Sequence, residues 1–115
     1  MNLAVIRGVL SRPADLRVLP SGDRLLALEL TVRQEGRRTS SVPVSFPDPP
    51  ARAEAWSAGE ELVVVGHVHR RFFQAGGATA SRTEVVAEAV LPVGQRAKVA
   101  KALAAAGAVL ATADG

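Results

Sequence analysis

Cysteine and tyrosine are absent from this sequence of 115 residues, and its aromatic residues are only three phenylalanines and one tryptophan. Without cysteine the chain can form neither disulfides nor thiolate zinc sites. Its apolar runs are all shorter than the ~20 residues of a membrane-spanning helix. The opening segment, MNLAVIRGVL, lacks the pattern of a signal peptide. We therefore expect a soluble cytoplasmic protein, formed by one domain or by one domain with a tail.

The residue patterns that accompany catalysis are also missing. No Ser-His-Asp arrangement is indicated, and the glycine-rich segment AGGATAS lacks the lysine of a phosphate-binding loop. His67 and His69 have a spacing that can hold a metal ion on one face of a strand. No third ligand at a suitable spacing accompanies them, so surface polar residues are the favoured interpretation. The sequence predicts a protein that is not an enzyme and needs no cofactor or metal.

Arginine carries most of the positive charge. The chain has twelve arginines and two lysines, and its formal net charge is +3. Arginine binds phosphate through two parallel hydrogen bonds and also stacks on bases, which suggests a polyanionic partner. Arginine, alanine, glycine and valine are also the residues that a GC-rich genome encodes often, and all four are abundant here. Composition alone leaves both explanations open.

Alternation of apolar and polar residues predicts five β-strands. They are expected at residues 3–10, 24–33, 41–46, 62–73 and 81–93. The second strand has the clearest pattern, with Leu26, Leu28, Leu30 and Val32 on one face and more polar residues on the other. Gly66, inside the valine-rich fourth strand, suggests a bend or a bulge. The segment between the last two strands, residues 75–80, is predicted to be a glycine-rich loop.

One helical segment interrupts the strands. Residues 51–58 (ARAEAWSA) predict a short helix that Gly59 would end, with Trp56 filling the core. Three strands, a short helix and two further strands are typical of the OB-fold, a five-stranded Greek-key barrel with a helix between strands three and four. We therefore expect an all-β OB-fold domain at residues 1–94. Residues 95–115 form either a loosely ordered tail or a helix that packs on the barrel or on a second subunit.

Several short motifs follow one another along the chain. They are Gly8-Val9-Leu10, Pro13 with Arg17 after it, the turn Pro20-Ser21-Gly22, the segment GEELVVVGHV from Gly59, and TEVV from Thr83. Each motif is common by itself. In this order they resemble the bacterial single-stranded DNA-binding protein (SSB) family over residues 2–94.

This resemblance implies an OB-fold that binds single-stranded DNA without sequence recognition, in replication, recombination or repair. It also implies a homo-oligomer, dimer or tetramer, in which the first strand pairs with its copy. Replication or repair proteins would be further partners, and the protein would be associated with the nucleoid. The expected chemistry is a basic groove along the DNA backbone, with aromatic side chains on which bases stack.

The chain departs from the family pattern in its aromatic residues. Phe46 and Phe73 fall at stacking positions of the family, whereas two other stacking positions, near Gly36 and Ser40, have no aromatic side chain. The last residues, ATADG, do not match the acidic tip that ends family sequences. These departures resemble the primosomal PriB-type relatives. An alternative is therefore an OB-fold assembly protein that acts mainly through protein–protein contacts.

Two groups of residues are candidates for contact with nucleic acid. Arg33, Arg37 and Arg38 flank the turn between strands two and three, which OB-folds use for nucleic acid. A solvated hairpin tip is the alternative for this group. Arg17 is expected to shape the first loop rather than to contact bases.

The second group lies near strand ends. Arg70, Arg71 and Phe73 combine two charges with an aromatic ring at the end of strand four, as in a groove that follows a DNA backbone. The alternative is an ordinary exposed strand end with Phe72 in the core. Phe46 is predicted to stack on a base, with a place in the core as its alternative.

Overall fold

A closed ring of strands forms the body of the protein in the computed structural model, which describes residues 1 to 112. The strands are β1 (Ala4–Leu10), β2 (Asp15–Val18), β3 (Arg24–Val32), β4 (Ser40–Pro47), β5 (Glu61–Ala75) and β6 (Ala78–Pro92). A short 3-10 helix (Ala51–Ala55) connects β4 to β5, and one α-helix, α1 (Arg96–Thr112), follows β6.

Five of these strands close the ring. The order is β1-β5-β6-β4-β3, and β1 returns to β3 through two residue pairs, Val9 with Thr31 and Leu10 with Leu30. All neighbours are antiparallel except β4 and β6. This is an OB-like barrel, as expected from the strand pattern. The structure adds a sixth strand, because Asp15–Val18 pairs with β3 where a connection was expected.

The predicted helix over residues 51–58 is not confirmed. In its place the chain makes one 3-10 turn at Ala51–Ala55, in which the Ala53 amide donates a 3.0 Å hydrogen bond to the Pro50 carbonyl. Pro50 is extended and Trp56 returns to extended backbone at once, so too few residues remain for an α-helix. The prediction for the Trp56 side chain is confirmed, since it is only 7% exposed and belongs to the core.

Side chains that point into the barrel form a single apolar core. Leu26, Leu28 and Leu30 are buried, as their alternation along β3 predicts. They pack with the inward residues of the other barrel strands, among them Leu10, Val44, Phe46, Leu62, Val64, Val85 and Val90. Burial of an aliphatic side chain of this size contributes about 1.5–3 kcal/mol, so this core holds the ring together.

Gly66 marks the bulge that the sequence suggested. The pairing of β5 with β6 shifts register between Val65 and Gly66. A Cβ atom at Gly66 would lie 2.0 Å from the Val86 carbonyl oxygen. Only glycine allows this approach of the two backbones.

Beyond the bulge, β5 and β6 continue as a two-stranded ribbon, which we call the arm (residues 68–83). The predicted loop at residues 75–80 is wrong, because both strands extend to a turn of only two residues. Gly76 and Gly77 have φ values of 58° and 81°. Two successive residues with positive φ form the type I′ turn that matches the twist of a β-ribbon.

Of the two predictions for the C-terminal segment, the structure has the helix, α1. It packs against β5 and β6, and its Ala102 and Ala106 line a small apolar cavity with Val65 and Ala89. Residues 113–115 of the predicted tail lie outside the described residues. Among residues 1 to 112, no helix combines the length and apolar character that crossing a bilayer requires.

Candidate nucleic-acid interface

A groove of about 210 Å³ runs over the outer faces of β2, β3, β4 and β6. Its charged lining residues are four arginines and three acids, Arg12, Arg17, Arg71, Arg82, Asp15, Glu29 and Glu84. Its floor is made of small side chains, Ala27, Pro43 and Ser45. The same alternation that buries the leucines of β3 turns Ala27 and Glu29 outward, so the core pattern of the sequence also determines the groove.

The arginines of the groove differ in their partners. Arg12 Nη2 lies 2.8 Å from Glu29 Oε2, and Arg17 Nε lies 3.3 Å from Asp15 Oδ2. Within residues 1–112, Arg71 and Arg82 form no ion pair with an acidic side chain. Two arginines of the groove therefore have no ion-pair contact that an incoming anion would have to displace.

Arg71 and Arg82 also face one another directly across the arm. They are register partners on β5 and β6, which places their side chains on the same face. Like charges at directly opposite positions destabilise an antiparallel pair. A bound phosphate between the two guanidinium groups would reverse this repulsion.

Glu29 lies at the edge of the groove floor and is held on both carboxylate oxygens. Ser41 Oγ donates a 2.6 Å hydrogen bond to Oε1, and Arg12 contacts Oε2. The hydrogen bond from Ser41 is the main cause that lowers the pKa of Glu29; burial, the next largest effect, raises it, and the charges of Arg12 and Arg82 lower it further. Glu29 is therefore an anion at neutral pH.

The arm has two faces with different neighbours. On its outer face, Arg71 and Phe73 of β5 lie beside Arg82 of β6, and this face continues into the groove. Residues Arg70 and Phe72 alternate with them and point to the opposite face. Phe73 is 42% exposed. The structure thus brings Arg71 and Phe73 together as predicted for strand four but separates Arg70 from them.

The other two phenylalanines differ from the favoured prediction for Phe46 and from the alternative for Phe72, while the core alternative for Phe46 is confirmed. Phe46 is 7% exposed and packs in the core, so its ring offers no surface to a base, and the expectation that it stacks on DNA is corrected here. It is paired in register with the buried Leu26 and points inward with it. Phe72 is 66% exposed, so the alternative that placed it in the core is wrong.

Arg33, Arg37 and Arg38 occupy the turn between β3 and β4. All three are exposed, and the Arg37 amide donates a hydrogen bond to the Gln34 carbonyl that shapes the turn. None of them lines the groove. They form a separate basic tip, so the candidate residues of the sequence do not converge on one place.

Sequence reasoning missed Arg12, Arg82 and Glu29 as groove residues and gave Arg17 only a shaping role. A signal for Arg82 was present. Two glycines between β-prone segments favour a two-residue turn, and counting outward from Gly76 and Gly77 places Arg82 opposite Arg71. Arg12 had no comparable signal, because its position depends on the path of the chain from β1 to β2.

Comparison with known proteins adds a second line of evidence on the fold of the chain. The sequence matches no protein-family model and no curated protein. The structure is similar to two solved structures of the single-stranded DNA binding protein from Thermus aquaticus, the wild type and a deletion mutant that also has an arginine-to-alanine substitution. The TM-score is 0.67 for both, with 26% and 27% sequence identity.

The alignment covers 80% of this chain and 40% of the Thermus chains, so the matched part spans less than half of their length. The similarity in fold and in sequence confirms the resemblance found in the motifs. Over the matched part, this chain is therefore similar in fold and in sequence to these single-stranded DNA binding proteins.

Proposed function

We propose that this protein binds single-stranded DNA, without requiring a fixed sequence, along the groove and the outer face of the arm. Arginines contact the phosphates, Phe73 stacks on a base, and the small residues of the floor leave room for the bases. The work of such a binder is to cover exposed single strands during replication, recombination or repair, in the cytoplasm at the nucleoid.

The opposed pair Arg71 and Arg82 is the observation that carries this proposal. The pair repels itself in the free protein and has no acidic partner within the described residues. It lies on the face that also presents Phe73. Charge for the phosphate and an aromatic ring for the base are therefore available within one stretch of ribbon, which is what contact with successive nucleotides needs.

The absence of further aromatic platforms limits the affinity. Each base–aromatic stack contributes about 1–3 kcal/mol, and only Phe73 offers one on this face. Phosphate contacts must therefore supply a larger share of the binding free energy than in a groove with several aromatic rings. The consequence is strong dependence on salt.

The test is titration of a labelled single strand of about 35 nucleotides, long enough for at least two OB-fold sites. We expect tight binding at low salt, weaker binding to the matching duplex, and a log–log salt dependence of about −0.7 per phosphate contacted. The control is the double variant Arg71→Ala/Arg82→Ala, which removes the opposed pair. No binding at low salt, or equal binding to duplex, would contradict the proposal.

Self-association through β1 is part of the same proposal. β1 pairs with β3 only at Val9 and Leu10, so residues 4–8 have one edge without a partner strand in the described chain. Val5 and Val9 also point outward and are 49% and 39% exposed. An unpaired apolar edge favours addition of a strand from a second copy. Sedimentation that shows only the 12.0 kDa monomer at micromolar concentration would contradict this.

A second candidate function is that of an OB-fold assembly protein. Exposed apolar residues on α1, Leu103, Val109 and Leu110, favour it, because they offer a surface to a protein rather than to DNA. In that case Leu103→Lys would abolish complex formation with the protein partner while the weak DNA affinity stayed unchanged. The titration above separates the two functions, since the assembly protein needs no strong preference for single strands.

A further inference from the structure

Glu29 is an unexpected residue in a groove that binds DNA. Its carboxylate lines the groove, its side chain is 27% exposed, and a negative charge there repels phosphate. Two fixed partners, Ser41 and Arg12, hold its two oxygens in place. Glu29 repels phosphate and is nevertheless held in place within the groove. This combination points to a role in selecting which bases bind there.

The carboxylate has unused acceptor capacity on the groove side. An ionised carboxylate has about four acceptor sites and no donor. Ser41 uses one site on Oε1 and Arg12 uses one on Oε2, which leaves a free site on each oxygen. Glu29 can therefore accept hydrogen bonds from a ligand in the groove but cannot donate any.

The bases differ in what they offer to such an acceptor. Cytosine and adenine carry exocyclic amino groups that donate, and guanine has an amino group as well. Thymine has a carbonyl oxygen where cytosine has its amino group, and its one ring donor, N3–H, lies between two carbonyl oxygens that the carboxylate repels. A base next to Glu29 thus binds the carboxylate better when it carries an amino group, because that donor can be reached without an adjacent carbonyl oxygen on both sides.

We infer that Glu29 gives the groove a graded preference for bases that carry an exocyclic amino group over thymine. This inference rests on the proposed binding of single-stranded DNA. The preference acts at one base position along the strand, so it biases affinity without creating recognition of a sequence. Glu29 acts as a specificity-determining residue, and its pair with Arg12 keeps the carboxylate directed at the groove.

Glu84 provides the matched control. It is the other glutamate of the groove, and within residues 1–112 it has neither an ion pair nor a side-chain hydrogen bond to fix it. Glu84→Gln removes the same charge from the same groove as Glu29→Gln. A general electrostatic effect changes the affinity of both variants. Loss of the preference for amino groups is expected only in Glu29→Gln.

The experiment compares oligo(dC) with oligo(dT) of equal length, at mildly alkaline pH where cytosine is not protonated. These two probes differ in the amino and carbonyl groups but have rings of the same size. We expect the wild-type protein to prefer oligo(dC) about tenfold, as one hydrogen bond to a charged group allows. In Glu29→Gln the ratio falls to about twofold or less, because the amide can also donate to thymine.

Glu29→Gln also frees Arg12 to contact a phosphate. The salt dependence of the variant's affinity for both probes therefore becomes steeper by about 0.7, as for one added phosphate contact. Glu84→Gln keeps the wild-type ratio. Equal binding of the two probes by the wild type, an unchanged ratio in Glu29→Gln, or the same loss in Glu84→Gln overturns the inference while the proposed function stands. Failure of the wild type to bind either probe overturns the proposed function itself.

Discussion

The two halves of β5 belong to one strand but have opposite surroundings. In the barrel half, Leu62, Val63, Val64 and Val65 are all buried, although they alternate between the inside and the outside of the ring. In the arm half, residues 68–75 are all exposed. The core covers the barrel half from within, and α1 with the N-terminal residues covers Val65 from outside. Beyond Val68, whose backbone is hydrogen-bonded by Asn2, the β5 residues of the arm remain exposed in the described chain.

The difference shows which residues of β5 are constrained by packing. Replacement of any of the four barrel residues by a small or polar one removes packing, so this half requires large apolar side chains. The arm needs only its ladder of backbone hydrogen bonds and its Gly76–Gly77 turn. Its side chains on β5, VHRRFFQA at residues 68–75, are therefore available for contact with a ligand. Substitutions in the two halves should accordingly separate stability from binding.

The largest expected effect is on the barrel, in Phe46→Ala. Loss of this buried ring leaves a cavity in the core, so the free energy of unfolding should fall by about 3–5 kcal/mol. The affinity of the folded fraction for single-stranded DNA should remain unchanged. Denaturant unfolding and oligonucleotide titration of the same sample measure both quantities. Normal stability with impaired binding would mean that Phe46 reaches DNA after all.

Phe73→Ala, on the outer face of the arm, should have the reverse result. We expect a loss of about 1–3 kcal/mol of binding free energy, since one stacking platform is removed, and no change in the thermal midpoint. Phe72→Ala is the matched control, because it removes the same side chain from the opposite face of the arm. If both variants lose the same affinity, the two faces of the arm are equivalent and the groove is not the path of the strand.

A smaller effect is expected from the neighbouring arginines. Arg71→Ala removes one phosphate contact, worth up to about 1 kcal/mol at an exposed site, and should make the salt slope shallower by about 0.7. Arg70→Ala, one residue away on the other face, should leave the slope unchanged. The salt dependence of oligonucleotide affinity measures both. If Arg70→Ala changed the salt slope as much as Arg71→Ala does, phosphates would have to contact both faces of the arm.

The smallest effect concerns Glu29 and pH. Its pKa in the folded protein lies below the ordinary value of 4.5, mainly because of Ser41. The stabilisation of the fold by the ionised Glu29 carboxylate is therefore complete above the pKa of the unfolded state. It is lost as the pH falls through the pKa of the folded state. Ser41→Ala should lower stability at neutral pH by less than about 1 kcal/mol, and this difference should vanish in acid. Denaturant unfolding of both proteins across that range measures it.

Glu61 does not confuse this comparison. Its pKa is also lowered, by the hydrogen bond from Arg7, and it titrates in the same direction as Glu29. Because Arg7 and Glu61 are present in both proteins, their contribution cancels in the difference. A gap between wild type and Ser41→Ala that stays constant from neutral to acidic pH would show that Ser41 acts by packing rather than through the charge of Glu29.

The barrel could be predicted from the sequence because its side chains alternate in burial. Leu26, Leu28 and Leu30 determine which face of β3 is inside. The sequence motifs indicated which family pattern the successive strands follow along the chain. The arm was predicted less well for the same physical reason, since exposed residues carry no alternation between apolar and polar types. Phe72 and Phe73 are both apolar, and only the register of the hairpin separates them onto two faces.

The groove was the least predictable part. Glu29 and Arg12 come from β3 and from the connection before β2, and they meet only because the chain folds back on itself. Phe46 illustrates the opposite difficulty. An aromatic residue at a strand end suits a binding platform and a core position equally well, and its inward direction follows from its register with Leu26.

Closure of the ring also determines how the chain can reach this structure. The parallel pair of β4 and β6 joins Val44 to Val85 and Ser45 to Val86, residues that are far apart in the chain, while the hairpins β3–β4 and β5–β6 involve near neighbours. Hairpins of this kind form within about 1–10 μs. Pairing of strands that are distant in the chain is slower, because closing a long loop costs conformational entropy. We therefore expect the two hairpins to form before they dock, and docking to limit folding to roughly milliseconds to seconds, the range typical of small β-barrels. In the interval before docking, the core faces of both hairpins are open to water and to other chains.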